Sequence, residues 1–182
     1  MTLDHLDNEE LLRLSLSAIE SDRDADAISM LKEIVARQPD HFQAVYLLAA
    51  QHAQIGMFDR AESEFRAAVE MAPDFPVARF QLGQLLAMSG RVDEARGILQ
   101  PILEGRDVFG AYSRAMVALA EERADVGLRE IEEGLALPQP IPALANDMRR
   151  LSQSLREADP EPTPTAPVYL AGYGYGRPGG VE

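Results

Sequence analysis

Three alanines recur at one constant interval along the chain, and their surroundings recur with them. They are Ala27, Ala61 and Ala95. The same step relates further apolar, glycine, proline and acidic positions: Leu31, Phe65 and Leu99; Gly56 and Gly90; Pro39 and Pro73; Asp59 and Asp93. A 34-residue period with two helical apolar runs, a break near glycine and a closing proline is typical of stacked helix–turn–helix units. The chain is therefore predicted to be an all-α repeat protein.

Small residues recur where the two helices of each unit are predicted to cross, and Gly83 joins the alanines there. Close approach of two helices requires small side chains at the crossing. A degenerate fourth unit is predicted at residues 108–138, with Gly127 and Ile131 in its second helix. An amphipathic run from Leu144 to Leu155 follows, and it predicts the polar helix that terminates such arrays.

Residues 8–107 resemble the tetratricopeptide repeat (TPR) family. The motif of that family places residues where this chain has Gly83, the Ala27 series, the Leu31 series, Pro39 and Pro73. Two departures are that Arg79 replaces a first-helix aromatic residue and Asp107 replaces a closing proline. The resemblance implies a right-handed TPR-like helical solenoid of three clear repeats, a degenerate fourth and a C-terminal capping helix. The predicted domains are a helical repeat domain at residues 1–158 and an irregular tail at residues 159–182.

Charge and composition restrict the classes of partner. The net charge is −13, so nucleic acid and anionic membranes are disfavoured, while solubility and steering toward a basic partner both remain open. The chain has no cysteine, which excludes disulfides and fits a reducing compartment. No leader pattern and no long apolar stretch is present, so the expected location is cytoplasmic, with no membrane partner.

Catalytic, metal and cofactor chemistry is not predicted. The histidines His5, His41 and His52 have no partner at ligand spacing, and His52 is interpreted as a core residue. The acidic series beginning at Asp22 resembles a calcium loop, but Ala27 stands where its turn requires glycine. The sequence contains no glycine-rich phosphate loop and no nucleophile motif. We therefore expect a protein that is not an enzyme.

The resemblance places the first helix of each unit on a concave face, so the outward residues of those helices form the predicted peptide-binding groove. Tyr46 and Phe80 are the expected aromatic anchors. The full predicted set is Leu16, Ile19, Gln43, Tyr46, Ala50, Phe80, Gln84 and Ala87. Leu12 and Val77 lie on the same faces but are expected to pack against neighbouring first helices. Family members that clasp a terminal carboxylate have Lys, Arg and Asn there, so that role is disfavoured.

The tail combines a proline-rich spacer with an aromatic cluster. It carries three of the five tyrosines of the chain. Its predicted ligand residues are Tyr169, Leu170, Tyr173 and Tyr175. One interpretation is a low-complexity linker, and the other is a tethered ligand that docks in the groove of its own chain or of a second copy, forming a homodimer.

The predicted function is a protein–protein interaction module, an adaptor or assembly factor that binds an extended apolar or aromatic peptide. The alternative is a dedicated client chaperone, because the chain is similar in size and acidity to the small TPR chaperones of bacterial secretion systems.

Overall fold

The computed structural model describes residues 5–157. These residues form nine α-helices and no strand, which confirms the prediction of an all-α TPR-like repeat fold. The helices are α1 (Asn8–Glu20), α2 (Asp24–Arg37), α3 (Phe42–Gln54), α4 (Phe58–Met71), α5 (Pro76–Met88), α6 (Val92–Leu103), α7 (Val108–Ala120), α8 (Ala124–Leu135) and α9 (Pro142–Glu157).

The first helices of the four pairs begin at Asn8, Phe42, Pro76 and Val108. The first two intervals equal the period predicted from the sequence, and the last is shorter by two positions. The predicted fourth unit is therefore present as α7 and α8, in a shifted register. After it, α9 buries its apolar face, including Leu144 and Leu151, as expected for the terminal helix.

The turn inside each pair has the same backbone conformation. Asp22, Gly56, Gly90 and Glu122 have positive φ angles between 54° and 78°. In the second pair this conformation lets the Met57 N–H donate to the His52 carbonyl at 2.8 Å, which satisfies one of the last carbonyls of α3. Glycine adopts positive φ at low cost, whereas Asp22 and Glu122 adopt the same conformation with a side chain present.

The chain divides into two compact units, and the division falls within α5. Unit 1 is Met1–Ala78 and unit 2 is Arg79–Glu182. In unit 1, α1, α2 and α3 share one core cluster, which includes Leu11, Leu31 and Leu48. A second cluster in unit 1 joins α3 and α4 through Val45 and Ala68.

In unit 2, glycines mark close contacts between helices. A Cβ on Gly83 would meet the Leu99 side chain, and a Cβ on Gly127 would meet Leu119. Gly127 occupies the position in its repeat that Ala61 occupies in the second, so a glycine replaces the alanine of the periodic series. Pro101 lies inside α6, which ends at Leu103 and is shorter than α4.

Replacing Ala61 with leucine is expected to destabilise the protein by roughly 1–3 kcal/mol, because added methylene groups must enter a well-packed helix crossing. Ala61 has no exposed surface. Thermal unfolding followed by circular dichroism measures the effect, and an unchanged melting temperature would show that α3 and α4 cross elsewhere.

Candidate functional site

The α1 helix presents an apolar strip at its surface. Leu12, Leu16 and Ile19 are spaced by four and three positions, so they lie on one helical face. Leu16 is 42% exposed, while Leu12 and Ile19 are half-buried against the unit 1 core. The structure thus places the two predicted α1 residues, Leu16 and Ile19, on a partly exposed face, together with Leu12.

The α3 helix contributes the rest of the predicted set in unit 1. Gln43 is exposed, and Tyr46 and Ala50 are half-buried. Their spacing again places them on one face of the helix. Helices α1 and α3 both contribute residues to the first core cluster of unit 1. We name these six residues the α1–α3 surface: Leu12, Leu16, Ile19, Gln43, Tyr46 and Ala50.

Aromatic contacts fix the position of the Tyr46 ring. Its centroid lies 5.2 Å from that of Phe75 in an edge-to-face arrangement and 6.1 Å from that of Phe65. Phe75 also makes an edge contact with Phe42, at 5.4 Å. Burial raises the pKa of the Tyr46 phenol well above its usual range, so the side chain stays neutral. A rigid, uncharged ring contacts a ligand with little loss of side-chain entropy.

The structure places Phe80 differently from its expected role as an anchor. Phe80 has no exposed surface, and its ring centroid lies 6.2 Å from that of Tyr112, which is also fully buried. The fourth repeat brings Tyr112 onto Phe80, so the Phe80 ring belongs to the unit 2 core and not to an exposed surface.

The other predicted residues of unit 2 line a small pocket between α5 and α7. Gln84 is buried and Ala87 is half-buried. The pocket is lined by Gln84, Ala87, Met88, Met116, Leu119 and Ala120. Met116 and Leu119 are the counterparts of Gln84 and Ala87 in the fourth repeat, so the shortened register of that repeat would have identified them from the sequence.

His52 is a buried side chain in α3, as predicted. Its Nδ1 lies 2.6 Å from Glu64 Oε2 in α4, and its Nε2 is buried without a hydrogen-bond partner. One ring nitrogen of His52 therefore has a hydrogen-bond partner, and the other has none among the described residues. Within residues 5–157 no group of three or more His, Cys, Asp or Glu side chains is placed to hold a metal ion.

The predicted tail residues Tyr169, Leu170, Tyr173 and Tyr175 lie outside the described residues. Among helices of the described range, none is both long and apolar enough to cross a membrane.

Comparison with known proteins agrees with these repeats. The tetratricopeptide repeat family model matches residues 52–119. Residues 52–119 are therefore similar to tetratricopeptide repeats, and the described residues have a TPR-like fold. TPR proteins in general bind protein partners, and TPR scaffolds are generally non-enzymatic.

A curated relative is DnaJ homolog subfamily C member 3 from Bos taurus, which is 31% identical over 98 residues. The match covers 54% of this chain and 19% of that protein, so the chain spans about a fifth of the length of this relative.

Two solved structures share the fold. A thermophilic TPR protein from Thermus thermophilus superposes with a TM-score of 0.64 and 20% identity, covering 84% of this chain and 82% of the other. MamA from Desulfovibrio magneticus RS-1 superposes with a TM-score of 0.59 and 16% identity, covering 82% of this chain and 89% of the other. Identities this low show similarity of fold alone.

Proposed function

We propose that this protein is a non-enzymatic interaction module, an adaptor or assembly factor, that binds an extended apolar or aromatic peptide on the α1–α3 surface. The observation that carries the proposal is the exposure of Leu16 beside half-buried Leu12 and Ile19. Exposed apolar side chains grouped on one face mark a surface that gains free energy by contact with an apolar partner.

The chemistry of the surface favours an uncharged apolar ligand segment. Five of its six side chains are aliphatic or aromatic, and Gln43 supplies the single side-chain amide. Tyr46 provides a ring held by Phe65 and Phe75, which suits it as the anchor of the site. Phe80 has no part in this proposal because it is buried. We include a cytoplasmic location in the proposal, on the ground that the chain has no cysteine.

Replacing Leu16 with aspartate is expected to weaken peptide binding at least tenfold, since a charge replaces apolar contact area at the centre of the strip. Peptides are first selected from a random display library on the full wild-type chain, and an enriched peptide is then measured by fluorescence anisotropy. We expect the enriched sequences to contain aromatic and aliphatic residues.

Leu14→Asp is the matched control for this variant. Leu14 is 39% exposed on the same helix, close to the 42% of Leu16, but lies on another face. The control introduces the same charge and is expected to change the affinity by less than about twofold, within the usual range of a residue outside the contact. Equal loss in both variants, or a library that yields no enriched peptide, would contradict the proposed site.

A dedicated chaperone would give a different result in cells. Its loss would remove one unstable client protein, whereas loss of an adaptor would leave the abundance of its partner unchanged.

A further inference from the structure

We propose that residues 168–177 of this protein bind the α1–α3 surface and compete with outside peptides for it. The inference rests on the proposed function, since it names a ligand for the same surface. The ligand segment belongs to the same chain or to a second copy.

The side chains of the segment match those of the surface. Residues 168–177 contain Val168, Leu170 and three tyrosines, which are the only tyrosines of the chain besides Tyr46 and Tyr112. The α1 strip offers aliphatic side chains, and the α3 face offers the Tyr46 ring. Tyrosine gives a large contact area at low entropic cost against such a surface.

Charge favours the same pairing. Residues 5–78 carry fourteen acidic and six basic side chains, whereas residues 168–177 carry Arg177 and no acidic side chain. Glu9 and Glu20 are exposed and stand next to the strip, one helical turn before Leu12 and directly after Ile19. A single positive charge beside an acidic surface adds attraction that salt weakens.

Ten residues separate the segment from the last described helix. The last described helix ends at Glu157, and residues 158–167 include four prolines. Ten residues of extended proline-rich chain span about 31 Å at ~3.1 Å each, which is roughly the length of a 20-residue helix. A ligand tethered by a short linker has an effective concentration near the millimolar range, so even a weak segment competes with free peptides.

The experiment measures binding of a fluorescent synthetic peptide of residues 165–179 to full-length protein. The tested variant replaces Tyr169, Tyr173 and Tyr175 with serine, which removes the internal competitor and leaves the helices unchanged. We expect this variant to bind the peptide at least tenfold more tightly than the wild-type chain does. Adding Leu16→Asp to it should abolish the gain, and adding Leu14→Asp should preserve it.

Three results would overturn the inference: no binding of the peptide to the serine variant, equal binding by the serine variant and the wild type, or equal loss in the two aspartate variants. If library peptides bind the α1–α3 surface as proposed while the 165–179 peptide does not, the inference fails and the proposed function stands. If neither binds, both fail. If the serine variant does bind the peptide more tightly, the oligomeric state shows which copy the segment binds. A wild-type dimer that becomes a monomer in the serine variant would mean that the segment docks on a second copy. Monomers in both would mean that it docks on its own chain.

Discussion

Replacing Gly110 with alanine is expected to destabilise unit 2 by about 3 kcal/mol. This value is the upper end of the usual loss of stability when a methyl or methylene group is added to a well-packed region. A Cβ at position 110 would lie 2.7 Å from the carbonyl carbon of Gly105 and would press against its oxygen. The obstructing atoms belong to the backbone, so no side-chain rotation relieves the overlap. Either the start of α7 or the α6–α7 loop must move.

Movement of the α6–α7 loop would weaken the hydrogen bonds that hold it. The Asp107 carboxylate accepts a hydrogen bond from the Gly110 N–H at 2.9 Å, capping α7. Arg114 donates to the carbonyls of Leu103 and Gly105, each at 3.0 Å, and to Glu130 at 2.7 Å. A displaced loop would lengthen several of these bonds at once, and partly buried polar groups that lose partners destabilise a fold.

Gly97→Ala is the matched control, because it adds the same atom where space is available. A Cβ at Gly97 has no neighbour within 4 Å, and the residue lies in the middle of α6. Removing a glycine from a helix interior is expected to stabilise the protein by up to about 1 kcal/mol. Urea unfolding of both variants, followed by circular dichroism, gives the comparison. Similar stability of Gly110→Ala and Gly97→Ala would show that the backbone around Gly105 moves without loss of stability.

The repeat period was sufficient to predict the helices, because it combines helical apolar spacing with a turn at a fixed place. It could not set the register of the fourth unit. The α6 helix ends early after Pro101, and α7 begins at Val108, two positions before the place that the period requires. Strict periodicity therefore misaligns Tyr112 with Phe80, although the two residues occupy equivalent positions on α7 and α5.

The sequence predicted the helical face on which each candidate site residue lies, but not how deeply the residue is buried. Helical spacing places Leu16 and Tyr46 on faces that carry other apolar residues, since side-chain direction follows from position along a helix. Exposure depends on what packs above the face. Phe80 lies at the position equivalent to Tyr46, but it is fully buried beside Tyr112. Burial of this kind is a tertiary property that one repeat alone does not specify.

Replacing Phe65 with alanine is expected to cost about 3–5 kcal/mol, the range for truncating a buried aromatic side chain to alanine. Phe65 lies in α4 and has no exposed surface. It occupies the position of Leu31 and Leu99, both fully buried as well. Chemical denaturation monitored by circular dichroism measures the loss of stability. Phe65→Leu keeps most of the volume and is expected to cost less than about 1.5 kcal/mol.

The Phe65 variants also test whether the unit 1 core supports the proposed binding surface. The Phe65 ring lies 6.1 Å from that of Tyr46, and the Phe75 ring lies 5.2 Å from it. With alanine at position 65, Tyr46 loses one of its two aromatic neighbours among residues 5–157 and gains room to turn inward. Peptide affinity, measured on protein that is still folded, should then fall more in Phe65→Ala than in Phe65→Leu. An unfolding midpoint of Phe65→Ala equal to that of the wild type would contradict the predicted loss of stability. Equal peptide affinity of the two variants would show that Tyr46 does not depend on Phe65 for its position.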